Sequence, residues 1–218
     1  MIDPSMLEFV KGFIESHDPI GTGPAARYPF RRRFEHCVRC SVWARRLAVA
    51  EGADVEVAEV SALFHDVAKT VPDTDVNHGE LGACVCEEYL TSIGCEPGKR
   101  EQIVEIVRTH TAHAREPDAS LEAKVESDAD FLDETGAITV LWDAMVTALE
   151  GEPSYEKAHA KLARTFEQLK AGLHAKLHTK TAKQIAAGRL ACIESFLANL
   201  EYELGRTDSP PPSAGLCK

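Results

Sequence analysis

The chain reads as all-α, a multi-helix bundle, on three observations. Apolar residues recur at steps of three and four almost throughout. No segment of useful length alternates in the manner of a strand. The breaks between periodic runs carry helix caps, glycines and prolines. Its 218 residues are enough for one sizeable domain with a genuine core, and no internal repeat is evident. One helical domain is expected over 1–205, with a motif-bearing core over about 30–136 and further helices over 154–205. A disordered tail is expected at 206–218, where Arg-Thr-Asp-Ser-Pro-Pro-Pro-Ser-Ala-Gly follows Gly205.

Each element follows from local sequence. Asp3-Pro4 starts the first helix, with Asp as N-cap and Pro in the first helical position. Met6, Phe9, Val10 and Phe13 then line one face. His17 to Pro29, rich in Pro and Gly, reads as a loop. A longer helix is expected from about Phe30 to Glu51, with His36, Cys40, Trp43 and Leu47 on one stripe and Gly52 ending it. Asp54 can cap the next helix, where Val57, Val60, Phe64 and Val67 repeat. It should end near Lys69, because Pro72 disfavours helix at the residue before it. Val71 to Asn77 reads as a loop. Helical patterns come next at about His78–Ile93 and Lys99–His110, the second striped by Ile103, Ile106, Val107 and His110. Glu116-Pro117-Asp118 interrupts, and Leu121, Val125, Asp128 and Leu132 resume the period. Gly136 and Gly151-Glu152-Pro153 punctuate the stretch after Leu132, and Ser154 to Glu203 reads as two helices.

Composition narrows the function. Hydrophobic content is 44% and charged content 27%, ordinary for a soluble globular chain. With 24 basic against 35 acidic residues the net charge is −11, which argues against non-specific binding to nucleic acid or an anionic membrane. An anionic substrate then needs local positive charge or a metal to receive it. No secretory leader pattern and no apolar run of about 18 residues is seen. The seven cysteines form no regular framework. A cytoplasmic protein with free thiols is expected. Cys37 and Cys40 have the gap of a zinc pair but no second pair, so they read as small buried residues.

The chemistry centres on His65-Asp66, set in the apolar run Ala62-Leu63-Phe64-His65-Asp66-Val67-Ala68. Burying a charge is costly unless it is paired or binds a metal, so the dipeptide reads as two ligands of a divalent cation. His36 and His110 lie on inward stripes of other helices. An acidic cluster, Asp128-Ala129-Asp130-Phe131-Leu132-Asp133, sits in a helix whose other face is apolar. His36, His65, Asp66 and one Asp of that cluster make two imidazoles and two carboxylates. Such mixed ligation suits Mn²⁺, Fe²⁺, Co²⁺, Ni²⁺ or Zn²⁺, and helical bundles build metal sites from facing helices in this way.

The order His, His-Asp, Asp resembles the HD superfamily of metal-dependent phosphohydrolases. The likeness extends over about 30–205. It takes in Phe34-Glu35-His36-Cys37-Val38-Arg39, the segment from Ser61 to Lys69, His78-Gly79-Glu80-Leu81-Gly82-Ala83, Ile103 to His110, and Asp128 to Ala137. The closing helix from Thr181 to Glu203 is similar to that of the small stand-alone branch that includes nucleotide pyrophosphohydrolases.

The resemblance implies an HD-domain bundle, one divalent metal with Mn²⁺ favoured, and a small phosphorylated substrate such as a nucleotide. It implies no nucleic-acid or membrane partner, and leaves monomer or homodimer open. Its metal ligands fall on His36, His65, Asp66 and Asp130, although the helical wheel favours Asp128. Asp128 is therefore the orienter or the reserve ligand. Asp66, Lys69, His110 and Asp133 are the catalytic candidates, and Lys69, His78, His110 and Arg33 the substrate contacts. Some HD nucleotidases carry Glu where this chain has Lys69, which leaves Asp133 or His110 to assist the attacking water. Arg31-Arg32-Arg33 also reads as a solvated basic face. The extra His-His pair of binuclear relatives is not evident, so a single metal is expected. A non-hydrolytic nucleotide-binding or regulatory module and a di-iron oxygenase are the alternatives.

Overall fold

A computed structural model of the chain describes residues 2–17, 30, 32–71, 76–112 and 116–211, without the side chain of His174. Nine helices and no strand occur among the described residues. They are α1 (Pro4–His17), α2 (Arg33–Glu51), α3 (Val55–Phe64), α4 (His78–Ser92), α5 (Pro97–Thr109), α6 (Leu121–Asp133), α7 (Ala137–Leu149), α8 (Tyr155–Lys176) and α9 (Lys180–Glu203). His17, expected in a loop, closes α1; the rest of that loop, 18–29, most of 71–77 and the end of the tail lie outside the described residues.

The caps expected at Asp3 and Asp54 form, and Asn77 adds one the sequence reading did not name. Asp3 Oδ1 accepts from the Met6 amide at 2.9 Å. Asp54 accepts from the Glu56 and Val57 amides at 2.9 and 3.1 Å, and Asn77 caps α4 through the Gly79 amide at 2.8 Å. Gly52 ends α2 in the left-handed region, φ 79°, with its amide on the Ala48 carbonyl, a conformation that costs glycine little.

Two elements differ from expectation. α3 stops at Phe64, five residues before Lys69, and the chain continues in tight turns in which Val67, Lys69 and Val71 each donate to the carbonyl three residues back. This three-residue winding starts at His65, so the His65-Asp66 dipeptide lies just past the helix end. The run between Gly136 and Gly151 is a full helix, α7. Its polar residues Thr139, Asp143 and Thr147 are buried at steps of four while Ile138, Leu141, Met145 and Leu149 are exposed. That inverted pattern hid the helix from a search for an inward apolar stripe.

The chain divides into two compact units, Met1–Asp133 with Lys176–Ala182, and Glu134–Ala175 with Lys183–Lys218. In the first, α3 packs against α2, α5 and α6, and α4 packs against α5. Its core joins Val10, Cys37, Val57, Leu63, Phe64, Leu90, Ile103 and Val107. In the second, Leu162 and Phe166 of α8 meet Leu190, Ile193 and Leu197 of α9. His159 there links Glu201 at 3.1 Å to Arg206 at 2.7 Å, so the first residue of the expected tail is tied to α8.

Candidate metal centre

The centre is built where α2, the turn after α3 and α6 converge. His36 lies on the first turn of α2, and His65 and Asp66 follow α3. Asp130 lies on α6, one turn before its end. The Nε2 atoms of His36 and His65 are 3.2 Å apart. Asp130 Oδ1 is 3.3 Å from His36 Nε2 and 3.7 Å from His65 Nε2. Asp66 Oδ2 is 3.8 and 3.6 Å from the same two nitrogens. Two nitrogens and two carboxylate oxygens thus face one point.

Each imidazole is held from behind. His65 Nδ1 donates to the Ala62 carbonyl at 2.8 Å, which leaves the Nε2 lone pair facing the cluster. His36 Nδ1 meets Asp133 Oδ2 at 2.8 Å, and Arg39 grips both oxygens of Asp133, at 2.7 and 2.9 Å. A ligating histidine whose other nitrogen is fixed by a carboxylate or carbonyl is the usual outer support of a metal site.

The electrostatics call for a cation. Burial would lower the His36 imidazole, but Asp130 and Asp133 outweigh it and raise its pKa to about 9. Burial lowers His65 to about 4, against the pull of Asp66 and Asp130. Burial would raise Asp66, yet His65, His110, His78 and Arg33 hold it well below the usual carboxylate range. Asp66 Oδ1 is buried and accepts no hydrogen bond from a described residue. A divalent ion fits this donor set: it would satisfy the inward lone pairs and take the place of a proton on His36.

The second oxygen of Asp66 faces a second group. His78 Nε2 and His110 Nε2 are each 3.3 Å from Asp66 Oδ1 and 3.1 Å from each other. His110 Nδ1 is fixed by the Val107 carbonyl at 2.7 Å, as His65 is by Ala62. Burial would lower His110, but Asp66 and Glu126 raise it. The ligand atoms of Asp66, His78 and His110 lie within 4.8 Å of one another. The His-His pair that no sequence spacing announces is therefore made across α4 and α5. Gly79 permits it, because a Cβ there would stand 2.6 Å from the Arg108 carbonyl oxygen. Lys69 Nζ completes this side, 3.5 Å from Asp66 Oδ1 and 3.3 Å from His78 Nε2.

Some sequence candidates lie elsewhere. Asp128 accepts from the His178 amide and from the amide and hydroxyl of Thr179, at 2.7–2.8 Å, so it pins the turn before α9, where Thr179 caps the helix through the Ala182 amide, and does not join the cluster. Asp128 is fully buried, in line with the stripe of Val125 and Leu132 that it shares. Asp133 sits behind His36. Arg33 is buried, not solvated, with Nη1 2.5 Å from Asp66 Oδ2. Sequence reasoning missed Arg39, whose place three residues after His36 was the available signal. Cys37 and Cys40 are free and buried as expected.

A His, His-Asp, Asp centre in an all-α unit defines the HD class. Residues 33–135 match the model of the HD domain, so that stretch of the chain carries an HD domain. It is 26% identical to YpgQ of Bacillus subtilis over 182 residues, 81% of this chain and 86% of that protein. A crystal structure of an HD-superfamily hydrolase from Bacillus thuringiensis superposes with a TM-score of 0.67 at 23% identity, covering 93% of this chain and 96% of that one. The structure of Bacillus subtilis YpgQ in complex with ADP superposes with a TM-score of 0.64 at 20% identity over 94% and 96% of the two chains. The fold is that of HD-superfamily hydrolases. Among the described residues no helix is long and apolar enough to cross a membrane.

Proposed function

We propose that this protein is a divalent-metal-dependent phosphohydrolase acting on a nucleotide or a related small phosphate ester. The convergence of His36, His65, Asp66 and Asp130 carries the proposal, with each imidazole Nε2 3.3–3.8 Å from the two carboxylates. A divalent ion, with Mn²⁺ favoured, supplies polarisation of a phosphoryl oxygen and activation of water. The chain's own residues do the rest. Lys69, about half-exposed at 43%, presents a cation to the phosphate. His78 is partly open at 27% and presents Nε2 as a phosphate contact. His110 Nε2 can hold or pass a proton, since imidazole titrates near neutrality. Asp133 orients His36 through Nδ1, and Arg33 compensates the charge of Asp66 better than it reaches a substrate. The ADP bound by YpgQ supports a nucleotide as the ligand class.

On a second reading a second ion would be held by Asp66, His78 and His110, which form their own ligand-type group. Metal analysis of the loaded protein separates one ion per chain from two, and iron at two per chain would favour the oxygenase alternative. The test of function is a screen of nucleotides and phosphate esters against Mn²⁺, Mg²⁺, Co²⁺, Ni²⁺ and Zn²⁺, reading phosphate and pyrophosphate separately. His65→Ala and Asp66→Ala should abolish turnover while helical circular dichroism survives. Full activity in either variant overturns the proposal, and no turnover with any ion points to a binding module.

A further inference from the structure

Cys40 stands at the centre, yet the proposed function gives it no task. It follows His36 by one turn of α2, so both side chains project from the same face. It is fully buried, with Sγ 3.7 Å from His36 Nε2 and 3.6 Å from Nδ1. The ligand atoms of His36, Cys40, His65 and Asp130 all lie within 4.8 Å of one another. A tetrahedral ion with sulfur at about 2.3 Å and nitrogen or oxygen at about 2.0–2.1 Å holds S and N roughly 3.6 Å apart, and N and N or O roughly 3.3 Å apart. The structure has 3.7 Å for Cys40 and His36, 3.2 Å for the two histidines, and 3.3 Å for His36 and Asp130. His65 and Asp130, at 3.7 Å, are the looser edge. Its equally close approach to Nδ1 places the sulfur beside the His36 ring and off the point that the two Nε2 atoms face, so rotation about χ1 of Cys40 is what must carry it to the ion.

We propose that Cys40 is a conditional ligand of this centre, recruited by thiophilic ions and left aside by hard ones. Zn²⁺, Cd²⁺ and Co²⁺ are then held by Cys40 Sγ, His36 Nε2, His65 Nε2 and Asp130 Oδ1, whereas Mn²⁺ and Mg²⁺ take the nitrogen and oxygen set with Asp66. On binding, the Sγ–H bond breaks, the proton passes to the buffer, and an Sγ–metal bond forms with no change in oxidation state. Four protein ligands close the tetrahedron and leave no position for water, as in structural zinc sites. The thiophilic form is therefore an inhibited one. The inference rests on the metal centre of the proposed function.

Cobalt tests it without reference to activity. Metal-free full-length protein is loaded with Co²⁺ and its spectrum recorded. Visible d–d bands report that the ion is bound, and a near-ultraviolet sulfur-to-cobalt charge-transfer band reports thiolate. The charge-transfer band should be present in the wild type and in Cys37→Ala, and absent in Cys40→Ala and Cys40→Val, with visible bands in all four. Cys40→Ala should weaken Zn²⁺ binding about tenfold or more, as loss of a supporting group at a metal site does, and leave Mn²⁺ binding nearly unchanged. Visible bands with no charge-transfer band in the wild type, or a band that survives Cys40→Ala, overturn the inference and leave the metal centre standing. Absence of any Co²⁺ binding overturns both. Should the Cys40 variants fail to fold, the wild-type spectrum alone still decides.

Discussion

Asp133 and Asp128 lie five residues apart on α6 and serve different neighbours, His36 for the one and the turn before α9 for the other. Asp133 holds His36 Nδ1 and is itself held by Arg39. Removing its charge should leave the ligand atoms in place but free the His36 ring to turn. Asp133→Asn is expected to weaken Mn²⁺ binding by about 10–100-fold, measured by titration calorimetry on metal-free protein, with little loss of helix. Unchanged affinity would return Asp133 to the role of a water-assisting base. Asp128 accepts three hydrogen bonds just before α9, so Asp128→Ala should cost about 1–3 kcal/mol of stability through the orphaned donors. Metal affinity in the folded variant should stay at the wild-type level. A large loss of affinity with unchanged stability would instead make Asp128 a ligand.

Two helices owe their roles to features a periodicity search undervalues. The first turn of α4 passes so close to the end of α5 that only glycine fits at 79, and this approach brings His78 to His110. Gly79→Ala must push the Arg108 carbonyl away. It is expected to cost about 1–3 kcal/mol, the usual penalty of overpacking, and to lower turnover more than Mn²⁺ binding, as kinetics alongside calorimetry would show. Normal turnover would make the His78–His110 pair incidental. α7 buries Asp143, whose Oδ2 accepts no hydrogen bond from a described residue. Burial raises its pKa despite Lys161 and Arg164 nearby. A carboxyl whose folded pKa is raised favours folding when protonated, and that contribution is lost as pH rises past the unfolded value of about 3.9 and through the folded one. Asp143→Asn keeps the shape without the charge. It should raise the melting midpoint near pH 7 by about 2–4 °C, the shift expected from roughly 1 kcal/mol in a chain of this size. The gain should vanish near pH 3; one that persists there would trace to packing and not to charge.

What the chain's order of residues made legible was whatever is local. The helices with inward apolar stripes, the caps at Asp3 and Asp54 and the meeting of His36, His65, Asp66 and Asp130 are all written in short spacings or in a motif. What was not legible depends on where one helix passes another. Arg39 on Asp133, Arg33 on Asp66 and the meeting of His78 with His110 join residues from 32 to 94 positions apart. No spacing rule reaches that far, and α7 hid because its polar side faces inward. The same division predicts where a metal acts. Every ligand-type residue of the centre lies in the unit formed by Met1–Asp133 and Lys176–Ala182. An ion at 100 times its dissociation constant adds about 2.7 kcal/mol to whatever structure must be intact to bind it. Hydrogen exchange followed by mass spectrometry, with and without Mn²⁺, should therefore show slowed exchange across the start of α2, the end of α3 with its following turns, and α6. Peptides from α7, α8 and the part of α9 beyond Ala182 should exchange at the same rate in both conditions. Equal slowing in the Glu134–Ala175 unit would mean that the two units unfold as one, and a slowing confined to that unit would put the ion elsewhere than at His65 and Asp66.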